Sequence, residues 1–358
     1  MNRMDLLRKR IDAVDAKLVA LMDERARLAR EIGEFKMQKG LSFFDPSRQK
    51  TVIQKALERS AGDFPQAGFK TVFAEIMSHC LALERPIRVG YLGPEATFSH
   101  MAARKEFGSA HDFQPLTSVA DVFTAVQNDW VDYGIAPIEN STGGIVYNTL
   151  DLFAEFDLKV CSEIMMPIHV HLLGHGPLRK IKRIYSHPQP FLQCEMWLRE
   201  NLPDVERAEV VSTTHGVQLA KGERYGAAIA GELAAELYGL PILSRGIEDS
   251  KDNTTRFLVL SHADGKRTGR DKTSLMFSAS DKPGALFRLL KPFADRNINL
   301  TQIESRPTRK KAWEYLFFVD LLGHRNDKPV AEALASLADE CKFLRILGSY
   351  PRCLDAAD

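Results

Sequence analysis

Arg25 and Lys36 follow Arg8 by 17 and 28 residues, close to whole turns of a 3.6-residue helix, so the three cations share one stripe. Around them Leu7, Ile11, Val14, Leu18, Leu21, Leu28, Ile32 and Phe35 fall at alternating three- and four-residue steps with one gap. Arg25 occupies that gap in what reads as a packed apolar seam. Buried cations are costly unless paired, and Asp15 is the one acid near the stripe. A lone arginine there reads as a rim residue whose stem lies along apolar surface. Three cations on one stripe, with Asp45 and Arg48 beyond the next turn, read as a seat for a small dianion. At the helical rise Arg8 and Arg25 stand ~25 Å apart, too far to share a small ligand, whereas Arg25 and Lys36 stand ~16 Å apart and can close on one. Arg8 is therefore expected to serve a second site, in an antiparallel copy of the chain. The front unit is then an intertwined dimer with two shared sites.

A second set of polar residues stands where strands are expected to end. Gly93-Pro94-Glu95 with Thr97, Phe98 and Ser99 opens a helix after a strand, and such N–H groups and hydroxyls can seat an anion or merely cap the helix. Pro137-Ile138-Glu139-Asn140-Ser141 with Gly143-Gly144 is a second such turn. Ser186-His187-Pro188-Gln189 with Gln193 is a third, and Ser212-Thr213-Thr214 a fourth. Asn253-Thr254-Thr255-Arg256-Phe257 enters another strand. Five polar turns at strand ends of one α/β domain mark a pocket, because ligands bind at those ends. Further on, Asp281-Lys282-Pro283-Gly284-Ala285-Leu286 opens a helix and Glu304-Ser305-Arg306-Pro307 closes a strand. His169 and His171 share a strand face and His175 follows, but no carboxylate stands at metal-ligand spacing, so no metal site is expected. No Gly-rich nucleotide loop occurs.

Three frameworks must hold these residues. Residues 4–85 carry no strand-like alternation; they read as a first helix of about 35 residues ended by Gly40, a second from Asp45-Pro46, and a third over Ala67–Glu84 stopped by Arg85-Pro86. From Ile87 onward β-type runs alternate with helical ones, with strands expected at Ile87–Leu92, Tyr133–Pro137, Lys159–Met166, Arg183–Ser186, Val210–Ser212, Ala227–Ala230 and Arg256–Leu260. Ala263–Asp271 is a polar linker. The rest reads strand, helix, strand, strand (Ala312–Asp320), helix, strand, the split βαβ pattern. The expected domains are 1–86, all-helical; 87–264, two-lobed α/β; and 270–358, α+β.

Composition narrows the partners. With 48 basic and 47 acidic side chains the net charge is +1, so no global field recruits nucleic acid or an anionic membrane. No apolar run approaches the ~18 residues of a membrane span. The N-terminus is charged from its third residue and lacks the apolar core of a signal peptide, which points to the cytoplasm. Five cysteines without CxxC spacing fit reduced thiols.

The motifs carry three resemblances. Arg8, Arg25, Lys36, Asp45, Arg48 and the stretch EIMSHCLALE (Glu75–Glu84) resemble the all-helical chorismate mutase domain, a domain-swapped dimer. This implies that Arg25 and Arg48, with Arg8 from the partner chain, clamp the carboxylates of chorismate. It implies that Lys36 and Glu84 face the ether oxygen that gains charge, and it places Asp45, Gln49 and Cys80 around the substrate. Gln49 stands where many relatives have Glu. Glu84 stands where some have Gln, and it must be protonated to help a developing negative charge. GPEATFS, PIENSTGG, SHPQ and NTTRF resemble prephenate dehydratase, whose fold is two-lobed like a periplasmic binding protein; Ala96 replaces a common Gly. That implies Thr255 as the hydroxyl donor at the departing oxygen. Thr97, Ser99, Glu139, Asn140, Ser141, Ser186, Gln193, Ser212, Thr213, Arg256 and Phe257 are implied around prephenate. Gly284, Ala285, Leu286, Glu304, Ser305 and Arg306 resemble the phenylalanine site of an ACT domain. The activity implied is chorismate to prephenate to phenylpyruvate with phenylalanine as inhibitor, in a homodimer or larger homo-oligomer, with no cofactor needed. The alternatives are a dehydratase preferring arogenate, or a non-catalytic solute-binding protein.

Overall fold

The computed structural model describes residues 2–279, 282–307 and 315–353. Asp281 and the expected strand start at 312–314 lie outside them. The chain forms two compact units: residues up to Arg88 with Phe107–Asp112, and the remainder.

The first unit is built on α1 (Arg3–Lys39), α2 (Pro46–Arg59) and α3 (Gln66–Glu84). Asn2 and Asp5 form a capping box at the start of α1, and Gly40, left-handed at φ 62°, ends it. Asp45 caps α2 by accepting from the Arg48 amide (3.0 Å), with Pro46 at the first helical position. The expected apolar seam is present but is not packed within the chain: Leu7, Ile11, Val14, Leu18, Leu21, Leu28, Ile32 and Phe35 are each 45–59% or 60% exposed. What α1 buries is a different stripe, Ala29 and Gly33, with Arg25 and Lys36 half-buried beside them. A Cβ on Gly33 would stand 2.9 Å from Cα of Glu84, so this glycine is what lets α1 and α3 approach there.

His111, in the segment that belongs to this unit, is buried, and neither ring nitrogen has a hydrogen-bond partner among the described residues. Burial pushes its pKa down to about 4, with His79 adding to the fall and Glu75 opposing it. The unfolded chain binds this proton near pH 6.5 and the folded one does not, so stability declines as pH falls from about 6.5 to about 4. Urea unfolding followed by circular dichroism at pH 7 and pH 5 is expected to show a smaller acid loss in His111→Phe than in the wild type. An equal loss in both removes His111 as a cause.

The second unit begins with a sheet assembled from β1 (Arg88–Leu92), β2 (Asp112–Leu116), β3 (Tyr133–Asn140), β4 (Gly144–Ile145) and β5 (Lys159–Pro167), with α4 (Phe98–Phe107), α5 (Val119–Gln127) and α6 (Tyr147–Glu155) between them. The chain then crosses into a second lobe. Its strands are β6 (His171–Gly174), β7 (Arg183–Ser186), β8 (Glu206–Glu209), β9 (Gly226–Ala230) and β10 (Ile242–Ser244). Its helices are α7 (Pro188–Gln193), α8 (Glu195–Asn201), α9 (Thr213–Gly222) and α10 (Glu232–Tyr238). It returns through β11 (Thr254–Ser261), which inserts between β3 and β5 and is antiparallel to both, giving the order β2-β1-β3-β11-β5. The second sheet runs β10-β6-β9-β7-β8. The strand expected at Val210–Ser212 is instead β8, four residues earlier; it is an edge strand, and its sequence ERAE carries no apolar run to betray it.

The last part is β12 (Asp271–Ala279), α11 (Ala285–Ala294), β13 (Leu300–Pro307), β14 (Tyr315–Leu322), α12 (Lys328–Glu340) and β15 (Leu344–Pro351), in sheet order β13-β14-β12-β15. This is the expected split βαβ arrangement. Its core gathers Leu275, Phe277, Leu289, Phe293 and Leu337. The opposite face of its sheet joins the first lobe, where Met276, Phe318, Leu347 and Tyr350 share one core with Phe123, Phe153 and Val160. Arg345 donates to the Phe153 and Phe156 carbonyls at the end of α6 (2.8 and 3.2 Å). Gly348 presses its backbone against Val160, where a Cβ would meet the Val160 carbonyl at 2.2 Å.

Candidate active sites

In the helical unit, Lys36 Nζ stands 2.7 Å from Glu84 Oε2 and donates to the Phe43 carbonyl at 2.8 Å. Both side chains are largely shielded, at 21% and 10% exposure, so the pair is worth more than a surface bridge. Arg25 reaches α3, donating to the Ile76 carbonyl at 3.4 Å. Cys80 is buried, while Arg8 and Arg48 are exposed and Asp45 and Gln49 are half-buried. One chain thus brings Arg25, Lys36 and Glu84 onto the facing sides of α1 and α3, and leaves Arg8 at the far end of the exposed seam. Gly33 is the residue sequence reasoning missed; a glycine inside a long helix, costing ~1 kcal/mol relative to Ala, was its signal.

In the two-lobed part, register sets Thr255 opposite Asn140. Asn140 Nδ2 donates to Thr255 Oγ1 (2.8 Å) and to Asn253 Oδ1 (2.9 Å). Its Oδ1 accepts from the Thr142 amide, the Thr142 hydroxyl and the Gly143 amide at 3.1, 2.7 and 2.7 Å. Three donors on one oxygen fix which way the amide faces. Thr255 Oγ1 therefore accepts from Asn140, and its own proton remains to be given to a third group. Gln193 of the second lobe donates to Thr142 Oγ1 at 3.4 Å, so a polar chain runs from α7 to Thr255. Ser141 stitches the same turn, donating to the Asp252 carbonyl and accepting from the Thr254 amide, each at 3.0 Å. Asn253 is buried, and its Nδ2 has no acceptor among the described residues. The reading of the motif as a strand entry passed over that buried donor.

The other implied residues divide. Thr97 Oγ1 donates to the Leu92 carbonyl (2.9 Å), Ser99 is buried on α4, and Ser212 caps α9 by accepting from the His215 amide (3.1 Å). Thr213 begins that helix. Ser186 is fully buried and donates to the Ile229 carbonyl (2.9 Å), which is a structural bond. Thr214, not singled out as a site residue, ties α9 to the Glu95 carbonyl across the lobes (2.8 Å). Glu139 lies opposite Arg256 in register. Phe257 is buried in the sheet.

Arg256 is held by Glu163 (Nε to Oε2, 2.9 Å), Asp320 (2.6 Å), Gln302 (2.7 Å) and the Tyr350 hydroxyl (3.0 Å). Burial alone would lower its pKa, but Asp320, Tyr350 and Glu163 together raise it well above the ordinary value. Arg306 chelates Asp151 of α6 (2.9 and 2.6 Å) and lies 4.6 Å from the Tyr147 ring. Gly284, left-handed at φ 73°, precedes α11; Ala285 is buried, Leu286 half-buried and Ser305 exposed. Among the described residues no cluster of three His, Cys, Asp or Glu could hold a metal ion, and no helix is long and apolar enough to cross a membrane.

Comparison with known proteins adds names to this geometry. Residues 7–85 match the family Chorismate mutase type II, residues 89–265 match Prephenate dehydratase, and residues 273–339 match the ACT domain. The bifunctional chorismate mutase/prephenate dehydratase of Aquifex aeolicus is 45% identical over 99% of both chains, and that of Pseudomonas aeruginosa 42% over 99% of both. Among solved structures, the prephenate dehydratase of Arthrobacter aurescens in complex with L-Phe is 36% identical with a TM-score of 0.69. That match covers 74% of this chain and 90% of the other.

Proposed function

Because the chain belongs to the family of bifunctional chorismate mutase/prephenate dehydratases, we propose that its two reactions are divided between the two sites described. Residues 1–86 rearrange chorismate to prephenate, 87–264 convert prephenate to phenylpyruvate, and 270–358 sense phenylalanine. The observation that carries the dehydratase assignment is the Asn140–Thr255 hydrogen bond, which orients a buried hydroxyl as a donor.

The rearrangement is pericyclic, so it needs a held conformer and fixed donors rather than a nucleophile. Arg25, Arg48 and a partner chain's copy of Arg8 grip the two carboxylates, with Asp45, Gln49 and Cys80 around the ring. Lys36 and a protonated Glu84 face the ether oxygen. The exposed apolar seam of α1 supports a homodimer, since eight large side chains in one row are each about half exposed. In the dehydratase step the ring carboxylate leaves as CO₂, and its bonding electrons enter the ring. The C–O bond to the ring hydroxyl breaks at the far side, and aromatisation drives both. Thr255 gives a hydrogen bond to the departing oxygen. Asn140, Asn253 and Gln193 hold the polar turn that receives the substrate, and Ser99, Ser212 and Thr213 add donors at helix starts. The reactions are those of a cytoplasmic biosynthetic enzyme.

Purified protein given chorismate is expected to form phenylpyruvate, seen by its absorbance in alkali, with prephenate as a transient. Added phenylalanine is expected to stop the second step. Prephenate accumulating as the end product removes the dehydratase assignment, and unconsumed chorismate removes both. Competition between prephenate and arogenate decides the substrate preference.

A further inference from the structure

Thr255 and Arg256 are consecutive on β11, so their side chains leave the sheet on opposite faces. Thr255 turns to Asn140; Arg256 turns to the regulatory domain and is 7% exposed. There it meets a closed network. Glu163 of β5 accepts from Arg256 Nε, Lys272 Nζ (2.8 Å) and the Cys353 amide (3.0 Å). Asp320 of β14 takes the other side of the guanidinium and the Ser274 hydroxyl (2.5 Å), which in turn meets the Tyr350 hydroxyl (2.5 Å). Two cations and two carboxylates balance, and the partners of Arg256 come from the catalytic lobe and the regulatory domain alike.

Gln302 gives this network a direction. On β13, Gln302, Glu304 and Arg306 alternate with the exposed Thr301, Ile303 and Ser305, so all three share the face turned to the catalytic lobe. Gln302 accepts from Arg256, Glu304 lines the cleft beside it, and Arg306 grips Asp151 on α6. A shift of β13 is therefore transmitted to Arg256, and through one peptide unit to Thr255. We propose that Arg256 is a positioning residue anchored on the regulatory domain, and that the Gln302–Arg256 bond carries that domain's state to the Thr255 hydroxyl. The inference rests on the regulated-dehydratase reading above.

The test uses full-length Gln302→Met, which keeps the side-chain length and removes the acceptor, and Arg256→Lys, which keeps the charge and loses the fork. Dehydratase kcat and KM, inhibition by phenylalanine, phenylalanine binding by calorimetry and mutase activity are measured for each. For Gln302→Met the fold-inhibition reached at saturating phenylalanine is expected to fall at least ~10-fold, in the usual range of allosteric coupling, while the binding constant measured without substrate stays near wild type. For Arg256→Lys, kcat is expected to fall at least ~10-fold, the effect of ~1.4 kcal/mol in the barrier, with KM and mutase activity kept. Parallel loss of binding and inhibition in Gln302→Met, or unchanged inhibition, overturns the coupling. An unchanged kcat in Arg256→Lys, or a fall in kcat with a rise in KM and mutase loss, reduces Arg256 to a fold residue and overturns the positioning role. A wild type that phenylalanine does not inhibit defeats the regulatory reading and the coupling with it, and the positioning role is then judged by the Arg256→Lys kinetics alone.

Discussion

Replacing Thr255 by alanine is expected to lower dehydratase kcat by ~10²–10³, the cost of removing one oriented donor at a developing oxyanion, with mutase activity unchanged. The hydroxyl cannot act as a strong acid at neutral pH, because an alcohol's pKa lies far too high. Its value is orientation. Asn140 occupies a lone pair of Thr255 Oγ1, and Asn140 is itself fixed by the two amides and the hydroxyl on its Oδ1. The donor is thus set before substrate arrives, and little reorganisation is left for the transition state. Thr255→Ser keeps the hydroxyl but loses the methyl that limits its rotamers, so it should retain more activity than the alanine. Steady-state kinetics on prephenate and on chorismate check both substitutions. Loss of both activities in a folded Thr255→Ala protein would mean that the two sites are not separable.

The turn that carries Thr255 was legible because polar residues cluster where strands end, and a sequence displays such clusters directly. Which way each side chain points was less legible. Thr255 and Arg256 were both placed around the substrate, yet a period of two forbids adjacent strand residues from sharing a face. Applied to the NTTRF motif, that rule alone sends Arg256 away from Thr255. Arg306 is named for the expected phenylalanine site, but its pairing with Asp151 escapes for another reason: Asp151 lies 155 residues earlier, and no local pattern announces so distant a pair. The α1 seam shows the opposite case. Its periodicity was plain, but whether an apolar row packs on its own chain or on another copy depends on the remaining helices. Here α3 packs against α1 at Gly33, and the apolar row is left exposed. Strand β8 escapes a search for apolar runs because three of its four residues, Glu206, Arg207 and Glu209, are charged, as an edge position allows.

Lys36→Met is expected to lower mutase kcat by ~10²–10³, again the effect of losing one fixed donor to an oxygen gaining charge, with dehydratase activity kept. Glu84 makes the sharper case. The 2.7 Å pair with Lys36 places its carboxyl beside the donor proposed to face the ether oxygen. As a carboxylate it holds Lys36 and repels the charge that builds as the C–O bond opens. In the proposed role, the carboxylic acid would donate to that same oxygen and release the ammonium. A donor role for Glu84 requires its acid form in the substrate complex, so mutase kcat is expected to fall as pH rises. Glu84→Gln supplies a permanent donor of nearly the same shape and is expected to flatten the profile. The measurement is chorismate disappearance between pH 5 and 9 for both proteins. A wild-type profile as flat as that of the glutamine variant would show that Glu84 does not act through its proton, and would leave Lys36 as the donor that faces the breaking bond.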